Sequence, residues 1–269
     1  MKILLFVSKL PYARPAILFG GLVARLTKSP IILMHVTSRK SGLEAGQNIL
    51  AQAREMLPDV ELNTQICQGI STQCILDEAQ SGSYDLVVLE ARRTVGLMKR
   101  LKGVVARLIA RESPVSVLVI KEERPSLKKI LVCTGGRDIA EPVIEAGGSL
   151  ARAAGARVAL LHVAPHIPSM YVGLNTMEEG LPALLQTDTP LARHLHHGAE
   201  IIERHQIDAA LKLRRGEVVN EILDEARAGD YDLIVIGASG TRKGLKEWVL
   251  GNITRRIVDD APCPVMVVR

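Results

Sequence analysis

Aromatic side chains are scarce in this chain of 269 residues: two Phe, four Tyr and one Trp, 3% of the total. With so few rings the core must be built from Val, Leu, Ile and Ala, a bias that suits parallel sheets buried on both faces. The same scarcity removes the surfaces on which nucleic-acid bases stack. Net charge is only +5, with Lys and Arg spread along the chain, so the charge balance also argues against a nucleic-acid partner. Long apolar runs are missing too. None approaches the ~20 residues of a membrane span, and the opening MKILLFVSKLPYARP carries too short a run for a signal peptide, so a cytoplasmic location without a membrane partner is expected. The four cysteines, Cys67, Cys74, Cys133 and Cys263, form no CxxC pair and lack metal-type His spacing. Reduced, buried thiols are the expectation.

What the chain does have is repetition. ILDEA stands at 75–79 and again at 222–226, each followed by a Tyr-Asp step, Tyr84-Asp85 and Tyr231-Asp232, into an apolar run. The copies are offset by 127 residues at Lys2/Lys129 and His35/His162, and by 147 at Gly69/Gly216 and Asp85/Asp232. The second copy therefore gains about twenty residues, within 165–190, of the kind that form lids, binding loops or partner contacts. Strands are predicted near 2–7, 30–36, 60–67, 85–89 and 115–120, and again near 128–133, 156–163, 208–214, 232–236 and 264–268. Helices are predicted between them, near 14–27, 42–57, 71–81 and 103–112, then 139–154, 190–205, 218–229 and 251–260. Regular alternation with few hairpin signals gives right-handed βαβ crossovers and a parallel sheet. The division is 1–123 and 127–269, with the short charged linker KEERPSLK at 121–128 implying that the halves pack together. In such an α/β fold, ligands bind at the carboxyl ends of the strands, at the switch point of the topology.

After the fourth strand of the second half, Gly237, Gly240 and Gly251 punctuate GASGTRKGLKEWVLGNIT. Glycines allow close approach of backbone to ligand. Gly251-Asn252-Ile253-Thr254 opens a helix whose free N–H groups and dipole would face an anion. Ser239 and Thr254 would add hydroxyl donors. The first half has Glu90, Arg92 and Arg93 where the second has Gly237, Ser239 and Gly240, although Gly103 matches Gly251. A carboxylate repels phosphates and bulky side chains block the backbone, so one site is expected and not two. The seven Lys and Arg of 92–111 read as a solvated helix face, with an anion or partner surface as the alternative.

This pattern resembles the universal stress protein family, whose nucleotide-binding members carry G-x2-G-x9-G-[ST] after strand four. Here Gly237-x2-Gly240 is followed by ten residues, with Gly244 a natural place for the extra one, and then Gly251-Asn252. The resemblance spans both halves, including the His-Val strand ends and the terminal Pro-Val-x-Val-Val. It implies two tandem flavodoxin-like (adenine nucleotide alpha hydrolase-like) units, each a five-stranded parallel sheet flanked by helices, packed as an internal pseudo-dimer. The last strands of such units pair across the interface, within one chain or between chains, and a further homodimer is compatible. The family implies an adenine nucleotide, ATP foremost, with or without Mg, in the second half, with Val163 against adenine and Thr134 and Gly135 at the end of strand one. Asn252 replaces the usual Ser or Thr. Gly135 stands where the family commonly has an Asp contacting the ribose or base side, and nearby Asp138 is no automatic substitute.

His194, His196, His197 and His205 with Glu200 do not converge as metal ligands; a surface helix is the simpler reading, and no metal site is assigned. His35 and His162 read as core or pocket wall, and Asp77/Glu78 and Asp224/Glu225 as a solvated face. GASG lacks the nucleophile-elbow spacing, and no catalytic residue is assigned. Three functions remain: a stress-response or regulatory nucleotide binder with unidentified regulatory partners, a nucleotide-free scaffold acting through protein contacts, and a slow ATPase.

Overall fold

The computed structural model describes residues 1–37, 42–91, 104–135, 140–165, 181–238, 242–243, 247–248 and 251–269. The first half runs β1 (Ile3–Phe6), α1 (Arg14–Thr27), β2 (Ile31–Thr37), α2 (Leu43–Glu55), β3 (Leu62–Gln68), α3 (Ser71–Ser81), β4 (Leu86–Glu90), α4 (Val104–Glu112) and β5 (Ser116–Ile120). The second runs β6 (Lys129–Thr134), α5 (Ala140–Ala154), β7 (Arg157–Ala164), α6 (Leu181–Leu185), α7 (Pro190–Arg204), β8 (Ala209–Arg215), α8 (Val218–Ala228) and β9 (Leu233–Gly237). It closes with the short pair β10 (Arg242–Lys243) and β11 (Glu247–Trp248), then α9 (Asn252–Asp260) and β12 (Val265–Val268). The small antiparallel pair and α6 lie where the sequence shows only loops.

Ten strands form one sheet in the order β3-β2-β1-β4-β5-β12-β9-β6-β7-β8. In this sheet the pairings within each half are parallel, and the halves meet where β5 and β12 pair antiparallel, Val119 opposite Val265, Leu118 opposite Met266 and Val117 opposite Val267. The pairing left open between one chain and two is thus made inside this chain. Successive strand residues alternate between two cores. Ile3 and Leu5 join α1, α2, α5 and α7 on one face, while Leu4 and Phe6 join α3, α4, α8 and α9 on the other. Each core contains residues from both halves, so neither half owns a complete one.

Helices α1 and α5 sit close to the strands because each places a glycine on its inner face. A Cβ at Gly20 would lie 2.6 Å from Leu5 Cδ1, and one at Gly147 would lie 2.4 Å from Val132 Cγ2. Across the junction Arg107 pairs with Asp259 at 3.3 Å, and Lys121 Nζ donates to the Ala261 carbonyl at 3.1 Å. From the linker, Arg124 reaches Asp230 at 3.4 Å and Asp232 at 3.9 Å. No helix among the described residues is long and apolar enough to cross a membrane.

Two expectations need correction. Asp77 and Asp224 are exposed, but the glutamates beside them turn inward, and Glu225 is only 3% exposed. It accepts from Lys212 Nζ at 2.6 Å, Arg214 Nε at 2.8 Å and Tyr231 Oη at 2.9 Å. Burial alone would raise its pKa; the hydrogen bonds from Lys212, Arg214 and Tyr231 outweigh that and hold the carboxyl below its usual range. The cysteines also differ from expectation. Cys133 and Cys263 are buried thiols, the latter pushed up to about 12 chiefly by burial, but Cys67 and Cys74 are joined in a disulfide. The strand-to-helix turn through Gly69 brings their Cα atoms to 6.3 Å, which a sequence separation of 7 does not reveal.

Candidate functional site

The chain reverses direction across the sheet between β6 and β9, and in the first half between β1 and β4. These are the two switch-point crevices. In the second half Thr134 ends β6, buried at 6% exposure, and Gly135 follows it in the open. A Cβ on Gly135 would meet nothing within 4 Å among the described residues. Gly237 ends the adjacent β9. Behind it, Gly251 caps α9 at φ −60° and ψ 154° and, as a glycine, offers no capping side chain of its own. Those angles suit any residue, so the value of glycine here is absence of bulk, not backbone freedom.

Of the residues singled out for this site, the structure brings together Thr134, Gly135, Gly237, Gly251, Asn252, Ile253 and Thr254 at the carboxyl ends of neighbouring strands. Asn252 and Ile253 are exposed. Asn252 Oδ1 accepts from Arg255 Nη2 at 3.1 Å. Thr254 is 1% exposed and its hydroxyl donates to the Gly237 carbonyl at 3.1 Å, fixing the start of α9 to the end of β9. That hydroxyl proton therefore serves the scaffold, not a ligand. Val163 lies near the end of β7, half-buried against the core that α8 and α9 cover. Ser239, Gly240 and Gly244, together with Gly136, Asp138, Arg92, Arg93, Gly103 and most of the 165–190 insertion, lie outside the described residues.

The first-half crevice is built from the same backbone with different side chains. Ser8 stands where Gly135 does, at the 127-residue offset, and its hydroxyl donates to the carboxylate of Glu90, which stands where Gly237 does. Two glycines in one copy are thus a bonded serine and glutamate in the other. Sequence reading found Glu90 but missed Ser8, although the offset that aligns Lys2 with Lys129 also aligns these two.

Beside the second-half crevice lies a histidine pair. His162 on β7 shares a 3.2 Å hydrogen bond with the Thr134 hydroxyl, and its ring meets that of His194 edge-on with centroids 5.5 Å apart. His194 Nε2 is buried with no hydrogen-bond partner among the described residues. His205 is likewise turned inward, with Nε2 2.8 Å from Glu145, so α7 is not simply a surface helix; His196 and His197 are the exposed members. No group of three metal-ligating side chains occurs among the described residues. In the first half His35 instead donates Nδ1–H to the Val7 carbonyl at 2.7 Å and packs on Gly46.

Burial, then the charge of His194, lowers the pKa of His162; burial, then His197, lowers that of His194. Both rings are therefore held neutral in the fold, while the unfolded chain protonates them near 6.5. Their contribution to stability is present above that value and is lost as pH falls through the folded pKa. We expect urea midpoints to drop between pH 7 and pH 5.5, and His194→Phe, which keeps a ring there, to shrink the drop. An unchanged pH dependence in that variant would refute the assignment.

Comparison with known proteins completes the description. The model of the universal stress protein family matches residues 1–121 and 126–269. The chain is similar to universal stress protein YxiE of Bacillus subtilis (strain 168), 29% identical over 151 residues that cover 52% of this chain and 98% of that protein. It is 31% identical over 142 residues to a universal stress protein of Thermus aquaticus, covering 53% of this chain and 98% of the relative. A universal stress protein structure from Archaeoglobus fulgidus DSM 4304 superposes with a TM-score of 0.70 at 16% identity, covering 100% of this chain and 98% of that one, a likeness of fold alone. With the family model matching both segments of a doubled α/β sheet, the chain belongs to the universal stress protein family.

Proposed function

We propose that this protein is a stress-response or regulatory adenine-nucleotide binder whose site is the crevice of the second half, with the first half as support. The observation that carries this reading is the contrast between the strand ends: among the described residues Gly135 and Gly237 bring no side chain to one crevice, where the bonded pair Ser8 and Glu90 stands in the other. ATP is the ligand we favour. Its phosphates would lie at the first turn of α9, which Gly251 caps without a side chain, on the N–H groups of Asn252 and Ile253, where the helix dipole favours an anion. Ser239 and Gly240 would complete the loop, and Val163 would lie against the base. Mg would bind through the phosphates; no protein cage for it is assigned. The reading carries no hydrolysis, and no catalytic residue is assigned.

Calorimetric titration of the full chain with ATP, with and without Mg, tests this. We expect one saturable site per chain. Gly251→Leu should weaken binding by about tenfold or more, while Glu90→Gln leaves it unchanged. Absence of heat and of thermal stabilisation at millimolar nucleotide would favour a nucleotide-free scaffold, the reading that the bonded pair Ser8 and Glu90 supports for the first half.

A further inference from the structure

The two copies hold the joint between their third strand and third helix by different chemistry. In the second half Arg214 on β8 pairs with Glu221 in the first turns of α8 at 3.3 Å. At the 147-residue offset those positions are Cys67 on β3 and Cys74 in α3, joined by the disulfide. The surroundings change in step. A tyrosine bonds the buried-side glutamate in both copies, Tyr231 to Glu225 and Tyr84 to Glu78, but Glu225 is also bonded by the charged Lys212 and Arg214, whereas Glu78 is bonded by the neutral Gln65 at 2.7 Å. Even the glycine beneath is shared: a Cβ at Gly216 would lie 2.5 Å from Glu221 Oε1, and one at Gly69 would lie 3.3 Å from Cys74 Sγ. At one point in the fold the first copy has a covalent bond where the second has an ion pair.

We infer that Cys67 and Cys74 form a reversible thiol–disulfide site that locks or releases the start of α3, independently of nucleotide. The fold does not need a covalent link here, because a partly exposed ion pair holds the same joint in the other half. The bond closes a short loop, with a sequence separation of 7, which constrains the unfolded chain less than a long one, so opening it costs the fold little and the two thiols stay close enough to re-form it. Its two sulfurs are unlike. Cys67 is half-buried on β3, an edge strand with one side unpaired, while Cys74 is 7% exposed in the core under α3. An incoming thiolate meets Cys67 first. Cys74 then leaves as a thiolate in the opening turn of α3, where the helix N-terminus stabilises negative charge.

The reaction balances with a dithiol as reductant. One thiolate attacks Cys67 Sγ, the Cys67–Cys74 bond breaks, and Cys74 takes up a proton. The second thiol of the reductant then displaces Cys67, leaving a cyclic disulfide in the reductant and two thiols in the protein. Once reduced, the joint has neither bond nor ion pair. The first turn of α3, whose cap residue Ile70 makes no side-chain cap and is 74% exposed, then keeps the packing of Cys74 and backbone bonds such as Cys74 N–H to the Ile70 carbonyl at 2.9 Å, but loses its covalent tie to β3. Cys133 and Cys263 stay out of the chemistry because both are buried.

The test uses the full chain equilibrated in graded mixtures of reduced and oxidised dithiothreitol, followed by alkylation with mass detection and by amide hydrogen exchange. Cys67 and Cys74 should become labelled together in the folded protein while Cys133 and Cys263 stay protected. Amides in the first turns of α3 should exchange about tenfold faster in the reduced form. The double variant C67S/C74S should exchange at the fast rate regardless of reductant. C67R/C74E, which transplants the ion pair of the second half, should exchange slowly regardless of reductant. Reduction only under denaturing conditions, failure of the pair to form in the oxidised mixtures, or equal exchange in both redox states would overturn the inference.

Discussion

Replacing Val267 with Asp should cost about 4 kcal/mol or more, because it places an ionisable carboxylate with no partner inside a core. Val267 has no solvent exposure and lies in β12, which is paired on both sides, parallel to β9 and antiparallel to β5. Its cross-strand neighbour Val117 is equally buried, so the charge has no route to water along the seam. A matched control is Val104→Asp. Val104 is 41% exposed at the start of α4, where a negative charge is tolerated, and its effect should stay within about 0.5 kcal/mol. Because each core draws residues from both halves, the loss should be felt by the whole chain. Urea unfolding followed by far-ultraviolet circular dichroism should show one transition, displaced to much lower denaturant in Val267→Asp. Two separate transitions, with only the second-half one displaced, would mean that the halves are stable alone and that the shared cores count for little.

The scaffold was legible in the sequence because hydrophobic periodicity and repetition act over short distances. Each strand and crossover helix of the repeat lies within a few residues of its sequence reading, β4 at Leu86–Glu90 and α3 at Ser71–Ser81 among them. What escaped depends on long-range geometry. Glu78 and Glu225 read as solvated because neighbouring aspartates are, yet the turn of one helical residue points a side chain inward to Tyr84 or Tyr231. The disulfide escaped because a strand followed by a helix turns the chain back on itself at Gly69, and cysteine spacing encodes no turn. His194 was read with its neighbours as surface, because its contact with the His162 ring joins residues 32 positions apart in sequence and on different elements. The crevice was half legible. Gly237 and Glu90 stood out as a contrast, but Ser8 looked ordinary until its bond to Glu90 was seen.

Gly135→Asp should strengthen ATP binding in the second half by about tenfold, near 1.4 kcal/mol. The substitution restores the carboxylate that the family commonly carries at the end of strand one. Among the described residues a Cβ on Gly135 meets nothing within 4 Å, and the position is exposed, so no described neighbour clashes with the new side chain and its desolvation is slight. A carboxylate accepting from sugar hydroxyls makes a charge-assisted hydrogen bond, worth more than a neutral one. Solvent exposure limits that gain, which is why one order of magnitude is expected and not two. The same charge would repel phosphates if they lay at the ends of β6 and β7 instead of at the start of α9. The sign of the change therefore reports which way round the nucleotide lies. Gly135→Asn separates charge from size: it should recover only part of the gain. Weaker binding with Asp would reverse the proposed orientation, and equal binding by Asp, Asn and Gly would remove Gly135 from the site.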